Sequence, residues 1–281
     1  MLLPAVAILG GLFGGGLGLA VMQSLGDFAP TGEHQFTLAH YQSLLGDSEV
    51  RLSIAITFLL ATLATAISAA AGLALALAFR SVARGSRTLS VFLQTPIAIP
   101  HLAIAILLVN VIGQSGLIAR LAHFATLVQA PAGFPVLIND RYGAGILIAY
   151  VLKETPFIAL IALAMLRRTA GDYELAAATL GASPWQRFRY VTLPLVAPAV
   201  ISASLLVFAF IFGAFEVPYV LGRPYPAMLG VVAQRRFLST DLADRPDAIA
   251  IAVLMTLVSA FTVLVYLHAG RKLVGERPTL F

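Results

Sequence analysis

Three charged side chains fall inside runs otherwise apolar enough to cross a bilayer. Lys153 and Glu154 lie midway along residues 142–166, and Glu216 lies within 195–221. Isolated charges at such depth are costly, and they face a cavity or a partner charge. With Tyr150, Phe215 and Tyr219 beside them, they admit two readings. One is the polar lining of a translocation path. The other is an ion pair joining helices, from Lys153 to Glu216 or to a second subunit. Tyr219 also fits an aromatic of the membrane interface. His101 and His268 stand far apart in sequence and read as single packing or interfacial residues. No GxxxxGK[ST] phosphate loop, HExxH, GxSxG or cluster of metal ligands occurs in the chain. The absence of cysteine excludes disulfides and thiolate metal sites. The expectation is a protein without catalytic residues, cofactor or resident metal.

The elements that must hold those charges are membrane spans. Of 281 residues, 59% are hydrophobic and only 11% charged, with mean hydropathy +0.92. A soluble chain has about 45–50% apolar and about 25% charged residues. The sequence therefore predicts an all-α integral membrane protein. Its six transmembrane helices are expected at 2–22, 52–79, 89–112, 142–166, 195–221 and 248–269. The first is glycine-rich and reads as a span rather than a cleaved signal peptide, because it lacks a basic leader. The third contains Pro96 and Pro100, which predict a kinked helix whose freed carbonyls need other partners. Residues 23–51, 113–141 and 222–247 read as polar connections, with a short surface helix near His40 to Leu45. The pI near 9.8 reflects topology rather than nucleic-acid binding.

Between the fourth and fifth spans lies GDYELAAATLGASPWQRFRYVTLP, residues 171–194. Asp172 is placed to cap a helix whose first turn carries Glu174, an anion where the backbone dipole favours one. Leu175 to Leu180 is strongly helix-forming and mostly alanine, so a partner backbone has close access to it. Gly181 suits the left-handed residue that ends a helix. Ser183 and Pro184 then read as the N-cap and first position of a second helix, with Trp185 and Phe188 as its apolar face. Pro194 is expected to close that helix.

This hairpin resembles the cytoplasmic EAA loop of permease subunits of bacterial ABC importers, whose form is roughly E-A-A, three residues, G, nine residues, I-x-L-P. Here it reads Leu175-Ala176-Ala177, then Gly181, then Val191-Thr192-Leu193-Pro194, with the spacing from Gly181 intact. Leu175 stands where the family has glutamate, and Glu174 lies one residue earlier. The resemblance implies a type I (MetI-like) importer permease core and a contact with an ATPase through Glu174, Leu175, Ala176, Ala177, Gly181, Ala182, Ser183, Pro184 and Trp185. Residues 51–270 are similar to that core, with 1–50 an added first helix and external segment and 271–281 a cytoplasmic tail. The stretch FGAFEVPYVLGRPYPAMLGVVAQRRF, within 209–252, is similar to the spermidine/putrescine-type permease group.

The resemblance further implies an ATP-driven importer of a small solute, a polyamine-like cation foremost, with ferric iron, phosphonate, sugar or another small solute as alternatives. Its partners would be an ABC ATPase dimer, a second permease subunit, and a periplasmic or lipid-anchored solute-binding protein. Likeness to polyamine systems points to a distinct second permease rather than an identical one. A secondary transporter is the reading from another class, but it calls for matched discontinuous repeats that the sequence does not offer. Charge sets the orientation. With the N-terminus inside, the inner segments hold Arg80, Arg84, Arg87, Arg167, Arg168, Arg187, Arg189, Arg271, Lys272 and Arg277 against Asp172, Glu174 and Glu276. The outer segments balance their charges, so the positive-inside rule puts the N-terminus and the 171–194 hairpin in the cytoplasm of a bacterial inner-membrane protein.

Overall fold

The computed structural model describes residues 3–27, 36–80, 87–167 and 171–275. Arg84, Arg168, Glu276 and Arg277, all part of the charge tally, lie outside them. Every regular element among the described residues is helical, and six stretches are long and apolar enough to cross a membrane: Val6–Ser24, Ser48–Phe79, His101–Phe124, Ala144–Met165, Pro184–Gly213 and Asp244–Val265. In chain order the helices are α1 (Leu3–Ser24), α2 (Ala39–Gly46), α3 (Ser48–Phe79), α4 (Arg87–Ala98), α5 (His101–Ile112), α6 (Leu117–Phe124) and α7 (Ala144–Met165). They continue as α8 (Gly171–Thr179), α9 (Pro184–Arg187), α10 (Leu193–Gly213), α11 (Glu216–Leu221), α12 (Leu229–Phe237) and α13 (Asp244–Gly275).

The α3–α7 pair is the centre of the bundle, and its sequence explains why. Along α3 the buried positions include Ser53, Thr57, Ala61 and Thr65, then Ala64, Ser68, Gly72 and Ala76, each set at four-residue spacing. In lipid no hydrophobic force separates helix from solvent, so small side chains that let backbones approach drive association. At Gly72 the approach is closest: a Cβ there would stand 3.0 Å from the Ile158 side chain and from the Thr155 carbonyl oxygen. Against this pair lies α10, with α13 packed on α10 and α12, and α4 packed on α7. Tyr150, Ile158, Ile211, Phe212, Leu221, Leu229 and Ile251 fill the interior. Outward, Phe58, Leu59, Ile106, Leu107, Leu152, Leu206, Phe261 and Leu264 are exposed, an arrangement that only lipid or another membrane helix makes favourable. α1 packs on α13, with its Gly10, Gly14 and Gly18 facing open space.

One end of the bundle is held by ions. Arg236 contacts both Asp47, the N-cap of α3, and Asp247, the latter at 3.6 Å. Arg235 meets Glu49 at 2.5 Å, and His40 Nδ1 meets Asp247 at 2.7 Å. Burial alone would raise the Asp47 carboxyl. The Glu49 amide and the Arg236 guanidinium outweigh it and hold the group below its usual value. At the same end Thr57, buried, accepts a hydrogen bond from the Leu229 amide at 2.8 Å and donates to the Ser53 carbonyl at 2.6 Å, so α12 is tied to α3 at its first turn.

The structure departs from the expected spans at two places. The third is broken rather than kinked: α4 ends at Ala98, and α5 starts at His101 with Pro100 as N-cap. Pro100 has no N–H to offer the preceding turn, so the ladder stops there. The membrane-length stretch runs instead from His101 to Phe124, taking in part of the connection assigned to 113–141. The fifth ends at Gly213, where Ala214 turns extended (φ −80°, ψ 147°), and α11 starts afresh. The polar segment 222–247 contains the further helix α12.

Gly72→Leu is expected to cost about 1–3 kcal/mol of stability by overpacking the α3–α7 contact. Thermal unfolding in detergent micelles measures it, with Gly14→Leu in α1, which meets open space, as the unaffected control.

Candidate functional site

The hairpin forms as its residues dictate, with two changes at its edges. Helix α8 begins at Gly171, so Asp172 sits in the first turn beside Glu174 rather than at the cap. At the other end of α8, Ala182 N–H bonds to Ala177 O at 3.0 Å and Gly181 N–H to Ala178 O at 3.0 Å. That paired closure is the Schellman arrangement, and it needs the left-handed φ of +82° that Gly181 adopts. Ser183 then caps α9 by a reciprocal box: its hydroxyl accepts from the Gln186 amide at 3.3 Å while the Gln186 side chain accepts from the Ser183 amide at 2.8 Å. Pro184 opens the helix, and the Trp185 and Phe188 rings lie 5.5 Å apart. Pro194 does not close it. A π-helical turn, Phe188–Thr192, carries α9 directly into α10, where Pro194 occupies a first-turn position that requires no amide donor.

The outer surface of the hairpin is apolar. Tyr173, Leu175, Leu180, Trp185 and Tyr190 are all exposed, Leu180 at 87%, and a Cβ at Gly181 would meet nothing within 4 Å. Ala176, Ser183 and Pro184 are exposed too, while Ala177 and Ala182 are half-buried. Glu174 turns inward. Its Oε1 accepts from Arg80 Nη1 at 2.7 Å and from the Thr192 hydroxyl. Thr192 is buried at the base of α10, and Arg80 ends α3, so one carboxylate ties the hairpin to two membrane helices.

Inside the bundle, the charges that the sequence places on the fourth span have partners within this chain. Lys153 is buried, and its Nζ donates to the carbonyls of Pro96 (2.8 Å), Ile97 (3.0 Å) and Ile99. These are the carbonyls at the α4–α5 break, where α4 has run out of amide donors. Its neighbour Glu154, also buried, meets His101 Nε2 at 3.0 Å, and the His101 ring lies 4.5 Å from that of Phe210. The break is thus held by α7 from one side and by α10 from another. Tyr150 is wholly buried, with its hydroxyl lacking a hydrogen-bond partner.

Glu216 is elsewhere. It opens α11 just past the Ala214–Phe215 break, is exposed, and makes no hydrogen bond or ion pair among the described residues; a Lys153–Glu216 pair is not formed. Phe215 and Tyr219 share this exposed edge, their rings 6.5 Å apart. A cavity of about 300 Å³ opens beside it, lined by Gly213, Phe215, Gly230, Gln234 and Thr256 among others. Sequence inspection did not single out Arg80 or Thr192. Their signal was faint, a basic residue ending one span and a hydroxyl inside the Val191–Pro194 stretch.

Comparison with known proteins agrees with this architecture. A family model described as "Binding-protein-dependent transport system inner membrane component" matches residues 68–274. The chain is 31% identical over 186 residues to the molybdenum transport system permease protein ModB of Mycobacterium tuberculosis, a match that spans 66% of each chain. It is 25% identical over 248 residues to the sulfate transport system permease protein CysT of Escherichia coli, covering 86% of each. Among solved structures, a bacterial ABC transporter involved in the import of the acidic polysaccharide alginate contains a chain that superposes with a TM-score of 0.77. It is 18% identical, over 97% of this chain and 94% of that one.

Lys153→Met is expected to leave the three carbonyls at the break unsatisfied, at about 1–3 kcal/mol for each one. Glu216→Gln should leave stability unchanged. Unfolding of both variants in the same detergent decides between this reading and a Lys153–Glu216 pair, which demands that both lose stability.

Proposed function

The chain belongs to the family of binding-protein-dependent transport system inner membrane components, and we propose on that premise that it is a transmembrane permease subunit of an ATP-driven importer. The single observation that carries the reading is the hairpin. It is a capped, apolar-faced helix pair at the end of the bundle, with its one inward carboxylate fastened to α3 and α10. An exposed patch of that kind is a docking surface, and fastening its base to two spans is what a part that relays force requires. The docked partner in this reading is an ABC ATPase subunit, one of a pair. A second permease completes the path, and a solute-binding protein delivers cargo from outside. The N-terminus and hairpin are cytoplasmic, and the ion-clamped end is external.

Of the residues considered for the path, Phe215, Glu216 and Tyr219 remain available to it, because they share an exposed edge beside a cavity at the α10–α11 break. Lys153 and Glu154 act in this reading by fixing the α4–α5 break rather than by meeting solute, and Tyr150 is a wholly buried packing residue. The cargo is a small solute. Relatives named for molybdenum and sulfate transport weigh against restricting it to polyamines, although the exposed carboxylate of Glu216 suits a cation. Uptake of labelled putrescine, sulfate and molybdate into vesicles separates the two.

Gly181→Val is expected to leave membrane insertion intact and abolish solute-stimulated ATP hydrolysis in the reconstituted complex, since a β-branched residue resists the left-handed conformation. Normal stimulated hydrolysis removes the hairpin from the mechanism. Reporter fusions at residue 182 should read as cytoplasmic and at residue 230 as external; the reverse pattern overturns the orientation.

A further inference from the structure

Between the hairpin and the end of α3 lies a recess of about 200 Å³, lined by Leu77, Arg80, Glu174, Arg187, Phe188 and Thr192. It holds two guanidinium groups and one carboxylate. That carboxylate is already engaged, by Arg80 and by the Thr192 hydroxyl. Arg187 is not: its Nε is shielded from solvent and has no acceptor, and its side chain makes no hydrogen bond or ion pair among the described residues. The enclosed Nε is closed to an outside partner, but the two terminal Nη groups are neither enclosed nor partnered among the described residues. The open end of the guanidinium sets the geometry. A carboxylate approaching end-on takes one proton from each Nη, a bidentate pairing that lysine does not reproduce.

The surroundings narrow the source. Leu175, Leu180 and Trp185 present an apolar surface on the same hairpin, which fits a protein partner rather than a free ion. At this recess the uncommitted charge is positive, since Glu174 is turned inward and Leu175 offers no charge. We propose that the recess receives the carboxylate of an aspartate or glutamate side chain from the ATPase subunit that docks on the hairpin, with Arg187 as its bidentate partner. The acid of the contact then lies on the ATPase and the base on this chain. The inference rests on the hairpin being the docking element.

The test uses the intact complex of this chain with its partner subunits in detergent. Arg187→Lys supplies a primary amine, and a carbodiimide joins amines to carboxylates only when they already touch. The expected product is an isopeptide between position 187 and an aspartate or glutamate of the ATPase, identified by tandem mass spectrometry. Arg187→Gln should weaken ATPase binding about tenfold and flatten its dependence on salt. Trp185→Ala should weaken binding while leaving the salt dependence as it was. A cross-link confined to Glu174 of the same chain, with Arg187→Gln binding at wild-type affinity and salt slope, overturns the proposal while Trp185→Ala still marks the hairpin as docked. Wild-type binding by both variants overturns the docking reading as well.

Discussion

A backbone carbonyl inside a bilayer has no water to turn to, and the α4–α5 break is where this chain meets that constraint most sharply. Pro100 withholds the amide that the preceding turn needs, and three carbonyls are left facing the interior. Lys153 gathers them. A cation in the membrane is expensive alone, but carbonyl oxygens at the C-terminal end of a helix carry the negative end of its dipole. The two liabilities therefore cancel, and α7 must sit where Lys153 reaches the break. From that position follow the Glu154–His101 contact and the seating of α7 against the small-residue face of α3.

The helical type and the count of six membrane-length stretches were legible because apolar runs of that length leave little choice, and the hairpin was legible because glycine, serine and proline each act locally. Gly181, Ser183 and Pro184 do what their backbone preferences require, whatever surrounds them. The ends of the spans were not legible. A proline inside an apolar run predicts disturbance, but whether the helix bends or stops depends on who receives the freed carbonyls, which is a fact about α7 rather than about α4. The same holds at Gly213, where an apolar sequence continues across a break in the helix.

The charged residues show the limit from another side. Depth in an apolar run marked Lys153, Glu154 and Glu216 as alike, yet burial divides them: two are enclosed by neighbouring helices and the third stands at an open edge. Sequence supplies the cost of a charge but not the identity of its partner, and the partner of Lys153 is backbone, which no side-chain pattern encodes. A further signal is readable in α3. The four-residue spacing of Ser53, Thr57, Ala61 and Thr65, and of Ala64, Ser68, Gly72 and Ala76, predicts the closely packed face of α3 without any structure.

Because the π-helical turn carries α9 into α10 without a stop, Pro184–Gly213 is one thirty-residue rod, about 45 Å long at 1.5 Å per residue. Its near end carries Trp185 and its far end abuts the Ala214–Phe215 break. A rod of that length amplifies angle: a tilt of about 5° at one end displaces the other by about 4 Å, roughly the width of a side chain. At Ala214 the backbone turns extended, so the rod ends there and α11 starts as a separate helix. In the permease reading proposed above, such a lever would carry a small rotation at the hairpin to a larger displacement at the opposite end of the span.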